Sequence, residues 1–306
     1  MNTTGPSRDN VGRGILLALS ATLIFSTQDA ISKFLVQSDV SPFQMTMMRF
    51  WATAVFALAL AWWQGGLRTA FRTRHVGLQV ARAGLLVVDI WMYVLALSTV
   101  PLAAVQSITL VYPLLVTLFA IPLLGEKVGI FRIVAVAVGF CGALVIVRPG
   151  GVPFDIGVAF AVGSGAAYGL YIVITRKVSA DDSPTTSMVY NGVVGLAISS
   201  VVGVFHWQWL DLTSFLLIGY IMITGVAAHG MMILALSVTP ASVLQPFNYT
   251  SLPWALLISA LIFHEPLDAI SLIGAAIIVG AGLVVMARER IKKVPAVAEP
   301  TLPGKE

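Results

Sequence analysis

Charge is what this chain lacks most. Asp, Glu, Lys and Arg make up 10% of its 306 residues, while 58% are hydrophobic. Soluble domains carry roughly 25% charged residues, and no soluble domain of useful size fits between the apolar runs. Cysteine is nearly absent too. The single Cys141 excludes an intrachain disulfide and gives no metal cluster. Only 4 histidines occur, none paired with another ligand at metal-binding spacing, so no metal site is expected. No Gly-x-x-x-x-Gly-Lys-Ser/Thr loop is present, which argues against ATP drive within this chain, and no cofactor is expected. The first apolar run is too long for a signal peptide. It carries Gln28, Asp29 and Lys33 near its end and has no clear small-x-small cleavage site.

What the chain has is long apolar runs. About 20 apolar residues span a bilayer as a helix. Ten stretches qualify, near 13–35, 43–64, 78–98, 101–123, 129–148, 156–177, 185–205, 214–236, 240–262 and 269–287. Backbone polar groups must pair internally in lipid, so each is read as a helix. The net charge of +4 is not a nucleic-acid signal, because the basic residues are sorted by loop. With the amino terminus in the cytoplasm, Arg8, Arg13, Arg68, Arg72, Arg74, Arg82, Lys127, Arg132, Arg176, Lys177, Arg288, Arg290, Lys292, Lys293 and Lys305 lie inside. Only Lys33, Arg49 and Arg148 lie at outside ends. Fifteen against three puts both termini in the cytoplasm of a multi-pass inner-membrane protein. The basic 65–77 loop reads as a topology determinant beside anionic lipid headgroups. The tail beyond 293 reads as disordered.

The chain also repeats itself. Met92, Leu95-Ala96-Leu97-Ser98, Pro101, Gln106 and Glu126 recur without a gap as Met231, Leu234-Ala235-Leu236-Ser237, Pro240, Gln245 and Glu265. With small changes of offset, Gly14 and Lys33 fall on Gly157 and Arg176, and Gly142 and Arg148 on Gly282 and Arg288. A duplicated unit of five spans must sit in the bilayer once each way up. The expected fold is therefore all-α and polytopic: ten transmembrane helices as two inverted five-helix repeats. Residues 13–148 form the first and 149–287 the second, with tails at 1–12 and 288–306. Inverted repeats of this kind are the architecture of secondary transporters, with a site near the midplane.

Candidate site residues follow from polarity at membrane depth. Asp29 and Asp89 are the two intramembrane carboxylates, each costing at least ~2.5 kcal/mol if ionised there. Asp29 lies one turn from Lys33 on the same face. The pair reads either as the gate of a proton or substrate-ammonium site, or as a structural ion pair. Asp89, beside Trp91, lines a cavity or is satisfied by a neighbouring helix. His229 is the one histidine deep in a span, a proton relay or a packing residue. Gln106, Thr109 and Tyr112 share a face of the fourth span, matched by Gln245, Asn248 and Tyr249 on the ninth. Each set reads as cavity lining or as interhelical glue. Phe25 and Gln28, with Tyr168 and Tyr171, could wall a flat ligand or pack as core. Pro113 and Pro253 interrupt the fourth and ninth spans and favour kinks that suit alternating access. Arg49, Glu126 and Glu265 read as structural, the two glutamates as dipole and cap partners for helix N-termini. Gly139, Gly142, Gly163, Gly165 and Gly169 allow close helix packing.

These residues resemble a family. Phe25, Asp29-Ala30 and Lys33 in the first span, Arg49-Phe50 in the second, Ala96-Leu97 with Pro101-Leu102-Ala103, and Gly125-Glu126 are similar to the EamA-type drug/metabolite transporters. Ala235-Leu236, Pro240-Ala241 and Glu265-Pro266 continue the likeness in the second half. His264 replaces Gly125 there, and Asn191 stands opposite Arg49. The resemblance implies a carrier of a small organic metabolite across the cytoplasmic membrane by alternating access. Its first-span signature looks most like carriers of vitamins or nucleoside-like metabolites such as riboflavin or S-adenosylmethionine. Amino-acid or metallophore exporters and broad drug exporters stay open, with an intramembrane enzyme as a remote alternative. The partners expected are the substrate and the lipid bilayer, not nucleic acid, with homodimerisation left open.

Overall fold

The computed structural model describes residues 8–64, 66–125, 130–146, 155–179, 181–238, 247, 249–265 and 268–291. Among these the chain is helical, without strands. The elements are α1 (Arg8–Gln37), α2 (Pro42–Gln64), the single turn α3 (Leu67–Ala70), α4 (Val76–Leu97), α5 (Leu102–Thr109), α6 (Tyr112–Leu124), α7 (Ile130–Ile146), α8 (Ile156–Val178), α9 (Pro184–Gly203), α10 (Leu212–Val238), α11 (Ser251–Leu261) and α12 (Ala269–Ile291). Among the described residues, seven helical segments are long and apolar enough to cross a membrane: Gly12–Gln37, Pro42–Gln64, Val76–Leu97, Leu102–Leu124, Ile156–Thr175, Pro184–His206 and Leu212–Met232. Ile133–Ile146, Ser251–Leu261 and Ala269–Val284 are shorter apolar helices. This is a multi-pass membrane protein. Its helix ends carry exposed aromatic residues, Trp62 and Trp63 after one crossing and Phe205 and Trp209 after another, where amphipathic rings favour the interface.

The fourth run is not one continuous helix. It breaks at Leu110 and Val111, and Pro113 falls in the first turn of α6, the position where its missing N–H removes no helical bond. Pro253 stands at the third residue of α11, likewise inside a first turn. Gly125 caps α6 in the left-handed region, φ 67°. Its repeat counterpart His264 adopts the same conformation, φ 53°. The turn geometry is kept where the sequence changes, at a strain of about 1 kcal/mol or more for a residue with a Cβ.

Packing between the halves is reciprocal. α1 lies along α10, and α4, the third crossing of the first half, lies along α8, the first of the second. α2 pairs with α9, α5 with α11, and α7 with α12. Small residues set the closest approaches. Gly142 of α7 and Gly274 of α12 face each other so closely that a Cβ on either would meet the other's carbonyl oxygen at 2.8 and 2.7 Å. Gly165 abuts the Thr109 backbone, and Gly169 the Tyr112 carbonyl. A core of Leu97, Leu102, Val105, Ile108, Leu115, Ile146, Leu252 and Ile278 joins the two halves.

Candidate functional site

Asp29, Arg49 and Asp89 converge at mid-span. Asp29 is the twenty-second residue of α1, and Asp89 lies past the middle of α4. Arg49 is the eighth residue of α2, roughly 10 Å along its axis at 1.5 Å per residue. That depth carries its guanidinium past the helix end to which the sequence assigns it. Its charge faces both carboxylates, and an amino group lies 3.4 Å from the Gln28 side-chain oxygen. Arg49 is thus a member of the central cluster rather than a structural residue at the membrane edge. The Ser164 hydroxyl of α8 donates to Asp89 at 2.6 Å. The Tyr93 hydroxyl lies against the Asp29 carboxyl and donates to the Gln106 carbonyl at 2.8 Å.

The remaining candidates divide. The Gln28 amide donates to Thr224 of α10 at 3.0 Å. Phe25 meets the His229 ring edge-on at 5.1 Å, and His229 Nδ1 faces its own helix at Gly225. Tyr112, Tyr168 and Tyr171 form an aromatic ladder, edge-on at 4.8 Å and then stacked at 5.7 Å. Asn191 of α9 donates to the Tyr171 hydroxyl at 3.1 Å, while its own carbonyl oxygen is buried without a partner among the described residues. Trp91 packs edge-on against Phe43, and its indole N–H has no partner among the described residues. Gln106 has both ends engaged, since its amide donates to Ser251 of α11 at 2.9 Å. It bridges three helices. The Thr109 hydroxyl donates to its own helix at Val105. Tyr249 is buried with its hydroxyl against Gly282 of α12. Gln245, Asn248 and Glu126 lie outside the described residues.

The expected Asp29–Lys33 pair does not form. Lys33 is 2% exposed, and its ammonium meets Glu265 Oε1 at 2.5 Å. It also donates to the Val100 carbonyl at 3.0 Å and lies 5.3 Å from the Phe263 ring centre. Glu265 Oε2 accepts from the Leu102 amide at 3.1 Å and from the Ser259 hydroxyl. The glutamate therefore caps α5, a helix of the other half, rather than the helix that follows it. A fully buried ammonium takes the carboxylate that satisfies it best, and here that group comes from across the fold.

Sequence reasoning counted Arg82 among the cytoplasmic basic residues and gave it no place in the site. This buried residue donates to the Ser187 carbonyl at 2.5 Å and to Thr175 at 3.3 Å, with Tyr171 under its guanidinium at 5.5 Å. Nearby, Thr73 and Gln79 donate to Asp182 at 2.5 and 2.8 Å, and His75 meets Asp181 at 2.7 Å. The basic 65–77 loop thus docks on the loop between α8 and α9. The signal was present, since Arg82 is a cation within an apolar run, but its partners lie about a hundred residues away.

Ionisable, amide and aromatic side chains of α1, α2, α4, α5, α6, α8, α9 and α10 are linked by these contacts. A riboflavin transporter of Vibrio cholerae serotype O1 is 29% identical over 275 residues, covering 87% of this chain and 90% of that protein. A riboflavin transporter of Rhizobium johnstonii is 28% identical over 299 residues, 95% of this chain and 96% of that one. An S-adenosylmethionine uptake transporter of Rickettsia prowazekii is 22% identical over 277 residues, 90% and 93% of the two chains. A solved crystal structure shares the fold with a TM-score of 0.64 at 20% identity, covering 92% of this chain and 98% of that one. The EamA-like transporter family matches residues 12–148 and again 155–287. The protein is a transporter, and the chain belongs to the EamA-like transporter family.

Proposed function

We propose that the protein is a secondary carrier that moves a heterocyclic metabolite of the riboflavin or S-adenosylmethionine kind across the cytoplasmic membrane by alternating access. In this reading ten spans form two inverted five-helix units with both termini in the cytoplasm. The observation that carries the proposal is the mid-span cluster, to which α1, α2, α4 and α5 of the first half and α8, α9 and α10 of the second all contribute. The Tyr112–Tyr168–Tyr171 ladder suits the face of a planar ring. Gln28, Asn191 and the carboxylates suit its polar edge, as in binding sites that combine apolar walls with a few placed polar groups. The names of the relatives support the substrate class. Reciprocal packing between the halves and the sorting of basic residues support the inverted arrangement.

The test is a metabolite-wide thermal-shift screen on the purified protein, followed by liposome flux of the hits. Stabilisation and saturable flux of a flavin or S-adenosylmethionine support the reading. Flux of many unrelated apolar cations, with mutual competition, would make the protein a broad exporter instead. Reporter fusions after Glu306 and within the 178–184 loop should both read cytoplasmic.

A further inference from the structure

One polar turn is duplicated with the repeat. Asp39-Val40-Ser41-Pro42 leads into α2, and Asp181-Asp182-Ser183-Pro184 leads into α9. Each turn ends on the proline that opens its helix, the position where a missing N–H costs nothing. Each then docks on the opposite half.

The 181–184 turn meets the segment between α2 and α4. Asp182 accepts from Thr73 and Gln79 at 2.5 and 2.8 Å, and Asp181 meets His75 at 2.7 Å. Beside them Thr185 donates to the Gln64 side chain at 2.6 Å, and the Tyr190 hydroxyl to the Phe71 carbonyl at 3.1 Å. The 39–42 turn meets the segment between α9 and α10. The Gln208 side-chain amide donates to the Asp39 carbonyl at 2.7 Å, and the Gln44 side chain exchanges two hydrogen bonds with the Gln208 backbone at 2.9 and 3.2 Å. One turn precedes α2 and the other docks on the segment that follows it, so the two contacts lie at opposite ends of the α2–α9 pair.

Between these ends the pair is close-packed. A Cβ on Gly192 would lie 2.8 Å from the Ala54 backbone, and one on Gly203 would lie 3.0 Å from the Phe43 carbonyl. The ends are held differently, by polar contacts. His75 and Asp181 are 34% and 46% exposed, and an exposed ion pair contributes little. Hydrogen bonds at a wet surface exchange for bonds to water at small net cost. Such ties can be made and broken repeatedly where a packed core cannot.

We propose that the two turns are matched latches, one for each end of the carrier, and that each is released when its own end opens. This rests on the alternating-access reading above. Both latches are engaged in this structure. Their chemistry differs: carboxylate side chains hold one, while amides and a backbone carbonyl hold the other. Substitution can therefore loosen either one alone.

Two measurements test this. In liposomes, flux of riboflavin and of S-adenosylmethionine is followed in a Cys141→Ala background that carries Thr73→Cys with Asp182→Cys, or Gln44→Cys with Gln208→Cys. Bridging either pair with a short, reducible thiol reagent should lower flux to that of empty liposomes, and reduction should restore it in the same sample. Undiminished flux with either pair bridged would overturn the latches and leave the carrier standing. The second measurement needs no substrate. Spin labels on Arg74→Cys and Ser179→Cys, exposed positions outside the latch contacts, report the distance across the 181–184 latch. Asp181→Ala with Asp182→Ala should enlarge a longer-distance population, and Gln44→Ala should shrink it. Each variant is first checked for a monodisperse folded state; Thr73→Val removes the Asp182 contact from the other half if the double alanine variant does not fold. If neither metabolite is carried, the substrate reading fails while the distances still decide the latch. A single distance distribution, unchanged by loosening the 181–184 turn from either side, overturns it.

Discussion

Removing one member of the Lys33–Glu265 pair should be worse than removing both. Lys33 is 2% exposed, and among the described residues its ammonium has Glu265 and the Val100 carbonyl as acceptors. Glu265→Gln leaves that cation buried beside neutral oxygens. The expected loss is about 4–5 kcal/mol, the upper part of the range for a buried pair broken on one side. Lys33→Met leaves the carboxylate, but Glu265 is 16% exposed and keeps the Leu102 amide and the Ser259 hydroxyl as donors. Bonds to a charged acceptor are worth about 1.5–3 kcal/mol each, so the loss here should be smaller, about 2–3 kcal/mol. The double variant replaces the pair by an apolar chain and an amide that still accepts from Leu102, and should fall within about 1 kcal/mol of the wild type. Thermal unfolding of the four proteins in one detergent gives the ranking. Additive losses, or Lys33→Met worse than Glu265→Gln, would refute the reasoning. Because Lys33 is paired with Glu265, Lys33→Met should also fail to rescue any defect of Asp29→Asn.

Gly142→Leu should destabilise by about 1–3 kcal/mol as an overpacked contact, because any side chain there meets the Gly274 carbonyl and Ile278; normal melting would show that α7 and α12 do not approach so closely. His264→Gly should raise the melting temperature slightly, since φ 53° strains a residue with a Cβ, and a lower melting temperature would contradict the left-handed turn. Asp211 precedes α10, where the Ser214 side chain and the Ser214 and Thr213 amides hold its carboxyl below the usual carboxylate range. Its contribution is therefore present above the ordinary carboxylate pKa of about 4 and lost as pH falls through the lower folded value. Between pH 7 and 3, Asp211→Ala should lose less stability than the wild type, and parallel curves would exclude the cap.

Much of the fold was legible because membrane helices advertise themselves by length and apolar content. Duplication leaves constant offsets such as Gln106 to Gln245. The break between α5 and α6 was foreshadowed by Pro113. The site was less legible, because its partners are tertiary. Spacing of four residues made Asp29 the obvious neighbour of Lys33, but a carboxylate 232 positions away makes the contact. Arg49 looked peripheral because the second run begins only six residues earlier, and its long side chain reaches beyond that position. Gln106 was read as cavity lining or interhelical glue, and its bridge between Tyr93 and Ser251 depends on which helices surround it, which no periodicity encodes.

The central claim is that one aqueous chamber between the halves receives the substrate. It is tested most directly at Phe25 and Tyr168, repeat counterparts that are both half-buried on α1 and α8. In a Cys141→Ala background, which removes the exposed native thiol, Phe25→Cys and Tyr168→Cys are each treated with a small membrane-impermeant thiol reagent from either face of oriented vesicles. The account predicts that each position reacts from both faces as the chamber alternates, and that a transported metabolite slows both reactions. A chamber that reacts at neither position, or only with lipid-soluble reagents and without protection, would contradict it.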